Sequence, residues 1–200
     1  MTSITEKLAA SKAAPRPTLD VTVSLNRDLS EQREELAAEL EQAKKSNDDR
    51  LGAPTAASVV QEKLDAILDA EADSLIDLRF TRLPGDAWAK ITQLCPPNPN
   101  SILDMHYHYS LVEACKLAAK FVDADGNAYG HVIEGDELTT LTVQQKTRSN
   151  PKPTDEWQEI FDTISGPEFT TIVDTLYSLN VYGPTERLAE LKKRSASLTA

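Results

Sequence analysis

The segment from Asp77 to Pro97, DLRFTRLPGDAWAKITQLCPP, changes its periodicity in the middle. Polar and apolar residues alternate as far as Thr81, which is typical of a half-buried β-strand. Beyond Pro84 the apolar residues recur at helical spacing, at Trp88, Ile91 and Cys95. Proline suits the first turn of a helix, whereas the pair Pro96-Pro97 forbids its continuation. The segment therefore predicts a strand that leads into one short helix, with Trp88 as the anchor of the junction.

The sequence before this segment predicts a second strand and an acidic helical hairpin. Apolar residues fall on one face of residues 19–25, at Leu19, Val21, Val23 and Leu25. Amphipathic helices follow over 28–49 and 56–73, and Arg33 takes a position on the apolar stripe of the first. Residues 28–49 hold eight acidic and three basic residues, a net charge of −5. We expect residues 19–25 to pair with 75–83, so that the hairpin projects from a two-stranded ribbon.

The second half of the chain predicts a helical core domain over residues 84–182. Apolar stripes mark helices from Tyr107 to Val122, from Trp157 to Ile164 and from Phe169 to Tyr177. Ser165 followed by Glu168 predicts a capping box at the start of the last of these helices. A long polar insert with several turn signals interrupts the domain near 123–153.

The chain ends are less patterned than its centre. We expect a disordered arm over residues 1–18 and a basic helix with a tail over residues 183–200. We expect residues 19–83 to form a strand–hairpin–strand unit. The predicted fold class is mainly α. It is a small helical bundle with a short two-stranded β-ribbon and a projecting acidic helical hairpin.

Composition excludes several functional classes. The net charge of −11 over 200 residues disfavours nucleic-acid binding, because contacts to phosphates need clustered Lys and Arg. The amino terminus has no apolar signal-peptide region, and no apolar run is long enough to span a membrane. We therefore expect a cytoplasmic protein with no membrane partner.

One acidic stretch resembles a calcium-binding loop. Asp123, Asp125, Asn127 and Glu134 occupy positions 1, 3, 5 and 12 of an EF-hand pattern. Ala128 stands where that loop needs glycine, and no clear helix follows. A polar turn is therefore the preferred interpretation, and a calcium-responsive module is an alternative that a calcium titration would test.

The remaining candidates for chemistry predict no site. His106 and His108 are two residues apart, and with His131 they are the only histidines, so we interpret the pair as residues of a helix start rather than zinc ligands. Cys95 and Cys115 lie on apolar helical stripes, which predicts reduced core cysteines. No nucleophile, phosphate-binding or dinucleotide motif is present. We expect no catalytic residues, no cofactor and no metal, and the pattern assigns no partner-binding residues.

The order of these parts resembles the tail assembly chaperones of long-tailed bacteriophages, notably of phages that infect actinobacteria. The resemblance covers roughly residues 75–180 and rests on LRFTRLPGDAWAKITQLCPPNP, HYHYSLVEACKLA and DEWQEIFDTISGPEFTTIVDTLYSLN. The insert at about 126–150 is longer than in the family. The matching positions are Phe80, Leu83, Trp88, Pro96, Pro97, Ala114, Cys115, Trp157, Ser165, Phe169, Leu179 and Asn180.

The resemblance implies a protein that is not an enzyme. Such chaperones bind the long tape measure protein in the host cytoplasm, keep it soluble until tail-tube subunits polymerise around it, and are not expected in the mature virion. The family often makes a longer, frameshifted product that recruits tube subunits, so this chain would be the short product; self-association is a further possibility. The alternative is a generic helical adaptor or structural virion component without chaperone activity.

Overall fold

The computed structural model describes residues 3–45, 56–144 and 154–198. The chain forms two compact units that interleave along the sequence. Unit 1 takes Met1–Asp20, Arg79–His131 and Ile172–Ala200, and unit 2 takes Val21–Leu78 and Val132–Thr171. The predicted contiguous segments 19–83 and 84–182 therefore do not coincide with the units, because strand pairing and helix packing join residues that are distant in sequence.

The described part of the chain is mostly helical, as predicted. The helices are α1 Ile4–Ala13, α2 Arg27–Lys45, α3 Ala56–Glu71, α4 Gly85–Leu94, α5 Ile102–Tyr107, α6 Leu111–Ala119, α7 Glu156–Thr163, α8 Gly166–Tyr177 and α9 Gly183–Leu198. A 3₁₀ turn, Ala72–Ser74, follows α3, and one π-helical turn, Ser178–Tyr182, joins α8 to α9. None of these helices is both long and apolar enough to cross a membrane.

The predicted two-stranded ribbon is part of a larger sheet. The strands β1 (Thr18–Ser24), β2 (Leu75–Thr81), β3 (Gly130–Glu134) and β4 (Glu137–Thr139) form a four-stranded sheet in that order. The pairing of β1 with β2 is confirmed, but β3 and β4 come from the stretch predicted as a polar insert. Two strands alone are marginally stable, and added strands provide further pairing. A separate antiparallel pair joins β5 (Val143–Gln144) to β6 (Thr154–Asp155). Insert residues 145–153 lie outside the described residues.

Side chains of β1 and β2 also form hydrogen bonds with each other. In unit 1, Arg79 donates two hydrogen bonds to the carboxylate of Asp20, both at 2.7 Å. In unit 2, the hydroxyl of Thr22 donates to Asp77. The predicted apolar face of β1 is buried only at its centre, since Val21 and Val23 are buried whereas Leu19 and Leu25 at the ends are exposed.

Within the segment predicted as a disordered arm, residues 4–13 form the helix α1. The hydroxyl of Ser3 accepts from the backbone N–H of Glu6, and the Glu6 carboxylate accepts from the Ser3 N–H. This reciprocal capping box begins α1. The helix buries no side chain, which explains why its sequence carries no apolar stripe.

The acidic hairpin belongs to unit 2, and its helices α2 and α3 pack against each other as predicted. Leu40 and Val60 are its buried apolar residues. Residues 46–55, which include the predicted linker, lie outside the described residues. Helix α7 contributes apolar core residues to unit 2 as predicted, with Trp157, Ile160, Phe161 and Ile164 all buried.

Helices α4 and α6 pack together in unit 1. The helix predicted from Tyr107 to Val122 is present only as α6, Leu111–Ala119, because His108 adopts a left-handed conformation (φ 62°) that ends α5. His106 and His108 therefore stand at the end of a helix rather than at its start. Trp88 is only half-buried, so the α4 face is centred on Ala87 and Ile91 instead of on the predicted indole anchor.

Candidate functional site

Exposed apolar side chains concentrate on α4, α5 and α6 of unit 1, and we call this region the α4–α6 surface. Ile102 is 90% exposed and Leu94 is 72% exposed, which is unusual for large apolar residues in a folded chain. The other exposed members are Leu103, Met105, Val112 and Leu117. A groove of about 600 Å³ runs across the region, and Leu94, Val112 and Leu117 contribute apolar walls to it.

The buried carboxylate of Asp104 organises the turn beside this groove. It accepts hydrogen bonds from the backbone N–H groups of Asn98 (3.1 Å) and Leu111 (3.3 Å). The hydroxyl of Ser101 caps α5 by accepting from the Asp104 N–H at 3.2 Å. Burial opposes ionisation of Asp104, but these hydrogen bonds prevail and lower its pKa. The ionised carboxylate thus holds the start of α6 against the segment that precedes α5.

Aromatic rings stand on these same elements. Trp88 meets the ring of Tyr109 edge-on at 6.2 Å, and Tyr107 lies 5.9 Å from Tyr109. The hydroxyl groups of Tyr107 and Tyr177 are 2.7 Å apart and share a hydrogen bond. Burial raises the pKa of Tyr109 to about 12, so its phenol stays protonated. The cluster is a rigid support for the surface rather than a source of charge.

Two positions that carry the family resemblance meet in unit 1. The side-chain oxygen of Asn180 accepts a hydrogen bond from the backbone N–H of Leu83 at 3.0 Å, and its amide nitrogen donates to the Leu176 carbonyl at 2.9 Å. Leu83 follows β2, and Asn180 lies in the π-helical turn after α8. Leu83 and Asn180, two of the matching positions, are therefore in direct contact.

The cysteines are free and buried, as predicted. Burial raises the pKa of Cys115 to about 12 and also raises the pKa of Cys95. The Cys115 thiol lies 3.6 Å from the carbonyl of Val173. Since the thiolate is the nucleophile, both side chains are held in the unreactive form at neutral pH.

The calcium-like stretch is a closed polar turn. The carboxylate of Asp123 accepts from the backbone N–H groups of Asp125 and Asn127, at 3.0 and 2.9 Å, and from the Asn127 side chain. The hydrogen bonds from the Asn127 side chain are the main cause of the lowered pKa of Asp123. Glu134 lies on β3 and accepts from Thr139 at 2.7 Å. The side chains of Asp123, Asn127 and Glu134 thus form hydrogen bonds within the turn and the β3–β4 strand pair.

The histidines are not brought together by the fold. His106 lies on α5, His108 ends that helix, and His131 lies on β3. Burial lowers the pKa of His131, whose Nδ1 is buried without a hydrogen-bond partner. Within the three described ranges, no group of three or more His, Cys, Asp or Glu residues is arranged to hold a metal ion.

A buried polar cluster in unit 2 is not foreseen by the sequence. Glu71 and Glu168 are 1% and 8% exposed, and Arg33 contacts both carboxylates. The Ser30 hydroxyl donates to Glu71 at 2.7 Å, and the backbone N–H of Ser24 donates to Glu168 at 2.9 Å. The sequence signal for this cluster was Arg33, a cation on an otherwise apolar stripe.

Comparisons of the chain with protein-family models, curated proteins and solved structures return no match.

Proposed function

We propose that this chain is a tail assembly chaperone of a long-tailed bacteriophage. It binds the tape measure protein in the host cytoplasm, keeps it soluble during assembly of the tail tube, and leaves before the virion matures. A frameshifted longer form would add contacts to tail-tube subunits. The proposal starts from the ordered resemblance over residues 75–180, and the contact between Leu83 and Asn180 supports it because both belong to that pattern.

The observation that carries the client-binding role is the exposure of the α4–α6 surface. A protein that protects an apolar helical client needs apolar area that its own fold leaves open. Ile102, Leu103 and Met105 on one six-residue helix are all at least 50% exposed. Asp104, between them, is buried and hydrogen-bonded, so the helix is anchored by its polar residue and presents its apolar ones.

Charge supports the same role in a different way. The chain carries 32 acidic and 21 basic residues. This net negative charge opposes non-specific aggregation of a complex that contains an aggregation-prone client protein. We propose that apolar contact provides affinity and that the acidic surface provides solubility.

Co-expression with the tape measure protein of the same phage tests the proposal. The tape measure protein should remain in the soluble fraction and co-purify with this chain at high salt, where ionic contacts are screened. Equal precipitation with and without this chain would refute the chaperone role. Separation of the pair at high salt would instead refute the apolar mechanism.

A matched pair of variants locates the binding surface. Ile102→Ser with Met105→Ser removes two exposed apolar side chains from the α4–α6 surface, and Leu188→Ser with Leu191→Ser removes two from α9. Both doublets should fold, because all four side chains are at least half exposed. We expect only the first doublet to release the client.

The protein content of purified virions distinguishes an assembly chaperone from a structural virion component. Mass spectrometry should detect this chain in infected-cell lysate and not in mature particles. A stoichiometric amount in mature particles would favour a structural virion component.

A further inference from the structure

A recessed pocket of about 500 Å³ in unit 1 is lined by four cationic side chains, and we call it the basic pocket. Its cations are Lys12, Arg16, Arg82 and Arg187. Pro15 and Pro17 contribute rigid walls. The pocket is separate from the α4–α6 surface, with which it shares no lining residue.

Three segments that are distant in sequence supply these cations. Lys12 lies in the last turn of α1, and Arg16 lies in the segment that follows. Arg82 comes directly after β2, and its backbone N–H donates to the Pro17 carbonyl at 2.9 Å. Arg187 lies near the start of α9. The fold thus gathers four positive groups that the sequence keeps apart.

This cluster of four cations contrasts with the acidic composition of the chain. Acidic residues outnumber Lys and Arg by 32 to 21, yet none of these four cations forms an ion pair with another described residue. Elsewhere cations do pair, as Arg79 with Asp20 and Lys90 with Asp86. Four like charges around one pocket repel each other, and a bound anion removes that repulsion.

We propose that the basic pocket binds a small anion that carries two or three linked phosphate groups. The planar guanidinium of arginine offers paired N–H donors that match phosphate oxygens, and three arginines line the pocket. Linked phosphates place several negative charges within a few ångströms, whereas the carboxylates of an acidic peptide are spaced further apart. An extended nucleic acid needs a long track of cations, which a recessed pocket does not provide.

Titration calorimetry with inorganic triphosphate at low salt tests this assignment. The pocket variant is Arg82→Gln with Arg187→Gln. The control is Lys63→Gln with Lys90→Gln, which removes the same charge from exposed positions outside the pocket. Wild type and control should bind triphosphate at a single site with affinities within about twofold of each other. The pocket variant should bind at least about tenfold more weakly.

Arg187→Gln alone provides a second variant, because its side chain is exposed on α9 and its loss leaves the fold intact. It should weaken triphosphate binding, and Arg187→Lys should recover only part of the affinity, since lysine keeps the charge but not the paired donors. Circular dichroism checks that each variant is folded.

Several results would overturn the assignment. These are no binding by the wild type, equal losses in the pocket and control variants, or tighter binding of a hexaglutamate peptide or a single-stranded oligonucleotide than of triphosphate. None of them bears on the tape measure protein, so the chaperone proposal is tested separately.

Discussion

The guanidinium nitrogen Nη1 of Arg33 lies 3.2 and 3.1 Å from the two carboxylate oxygens of Glu71. Its other nitrogen, Nη2, lies 3.8 Å from the Glu168 carboxylate. One partly exposed cation therefore compensates two buried carboxylates at the base of the acidic hairpin, all within unit 2. Such an arrangement stabilises a fold little in net terms, but the loss of one partner is costly.

Replacement of Arg33 should consequently be severe. We expect Arg33→Met to lower the free energy of unfolding by about 3–5 kcal/mol, because it leaves buried charge uncompensated. Urea denaturation measures the change. Arg79→Met is the control, since its pair with Asp20 is more exposed and its loss should lower the free energy of unfolding far less. Equal losses in the two variants would show that burial of the carboxylates does not matter.

Glu168 supplies a second prediction, because it is both a capping residue and a buried acceptor. One carboxylate oxygen accepts from the backbone N–H of Ser165 (3.0 Å) and from its hydroxyl (2.8 Å), and the other accepts from Ser24. Glu168→Ala should cost about 3 kcal/mol, since it leaves buried N–H groups unpaired. Glu186→Ala, in the first turn of exposed α9, should cost less than about 1 kcal/mol in the same chemical denaturation assay.

The two tryptophans should differ in their contribution to stability. Trp157 is 1% exposed, and its ring centroid lies 5.9 Å from that of Phe161, whereas Trp88 is half-buried. Trp157→Ala should cost about 3–5 kcal/mol and Trp88→Ala roughly 1–2 kcal/mol. Thermal melts of both variants measure the order. A larger loss at Trp88 would restore that side chain as the anchor of the strand–helix junction.

The thiols should react slowly in the folded protein. Because burial raises the pKa of both Cys95 and Cys115, thiolate forms only at pH values above the ordinary range for cysteine. A disulfide-exchange reagent should label both residues slowly at pH 7 to 9, and denaturation in urea should make the labelling rapid. Immediate labelling of two thiols in native protein contradicts this expectation.

Asp104 predicts a specific acid sensitivity. Its pKa is lower in the folded chain than in the unfolded one, so its stabilising effect is complete above the unfolded value of about 4 and is lost as pH falls through the folded value. Asp104→Asn should therefore lower the melting temperature at pH 7. The difference from wild type should shrink as the pH is lowered below about 4. A difference that stays constant over this range would mean that ionisation of Asp104 contributes nothing.

Apolar periodicity predicted those elements that bury one clear stripe. The hairpin helices, α7 and α8 follow this rule. One half of the predicted Ser165–Glu168 capping box, the hydrogen bond from the Ser165 N–H to the Glu168 carboxylate, is present because its chemistry is local. The strands β3 and β4 escaped prediction because they are short and most of their side chains remain accessible, with Val132 among the few buried.

The sequence pattern also failed to predict which charged residues are buried. The pattern predicted Glu168 only as a capping residue and assigned no role to Glu71, whereas both carboxylates are buried against Arg33. Their burial depends on partners that are 38 to 144 residues away, which no local pattern records. The α4–α6 surface was missed for a related reason, since neighbouring apolar residues on a short helix have no periodicity to reveal which of them are exposed.

The interleaving of the two units constrains how the chain reaches its native state. The hydrogen bond from Ser24 to Glu168 spans 144 residues, and the one from Leu83 to Asn180 spans 97. During synthesis, these contacts cannot form until Glu168 and Asn180 have left the ribosome. Such a high contact order predicts slow folding, with the α2–α3 hairpin formed early because its contacts are local. Truncation before Glu168 should therefore impair both units together, because it removes Glu168 from unit 2 and Asn180 from unit 1.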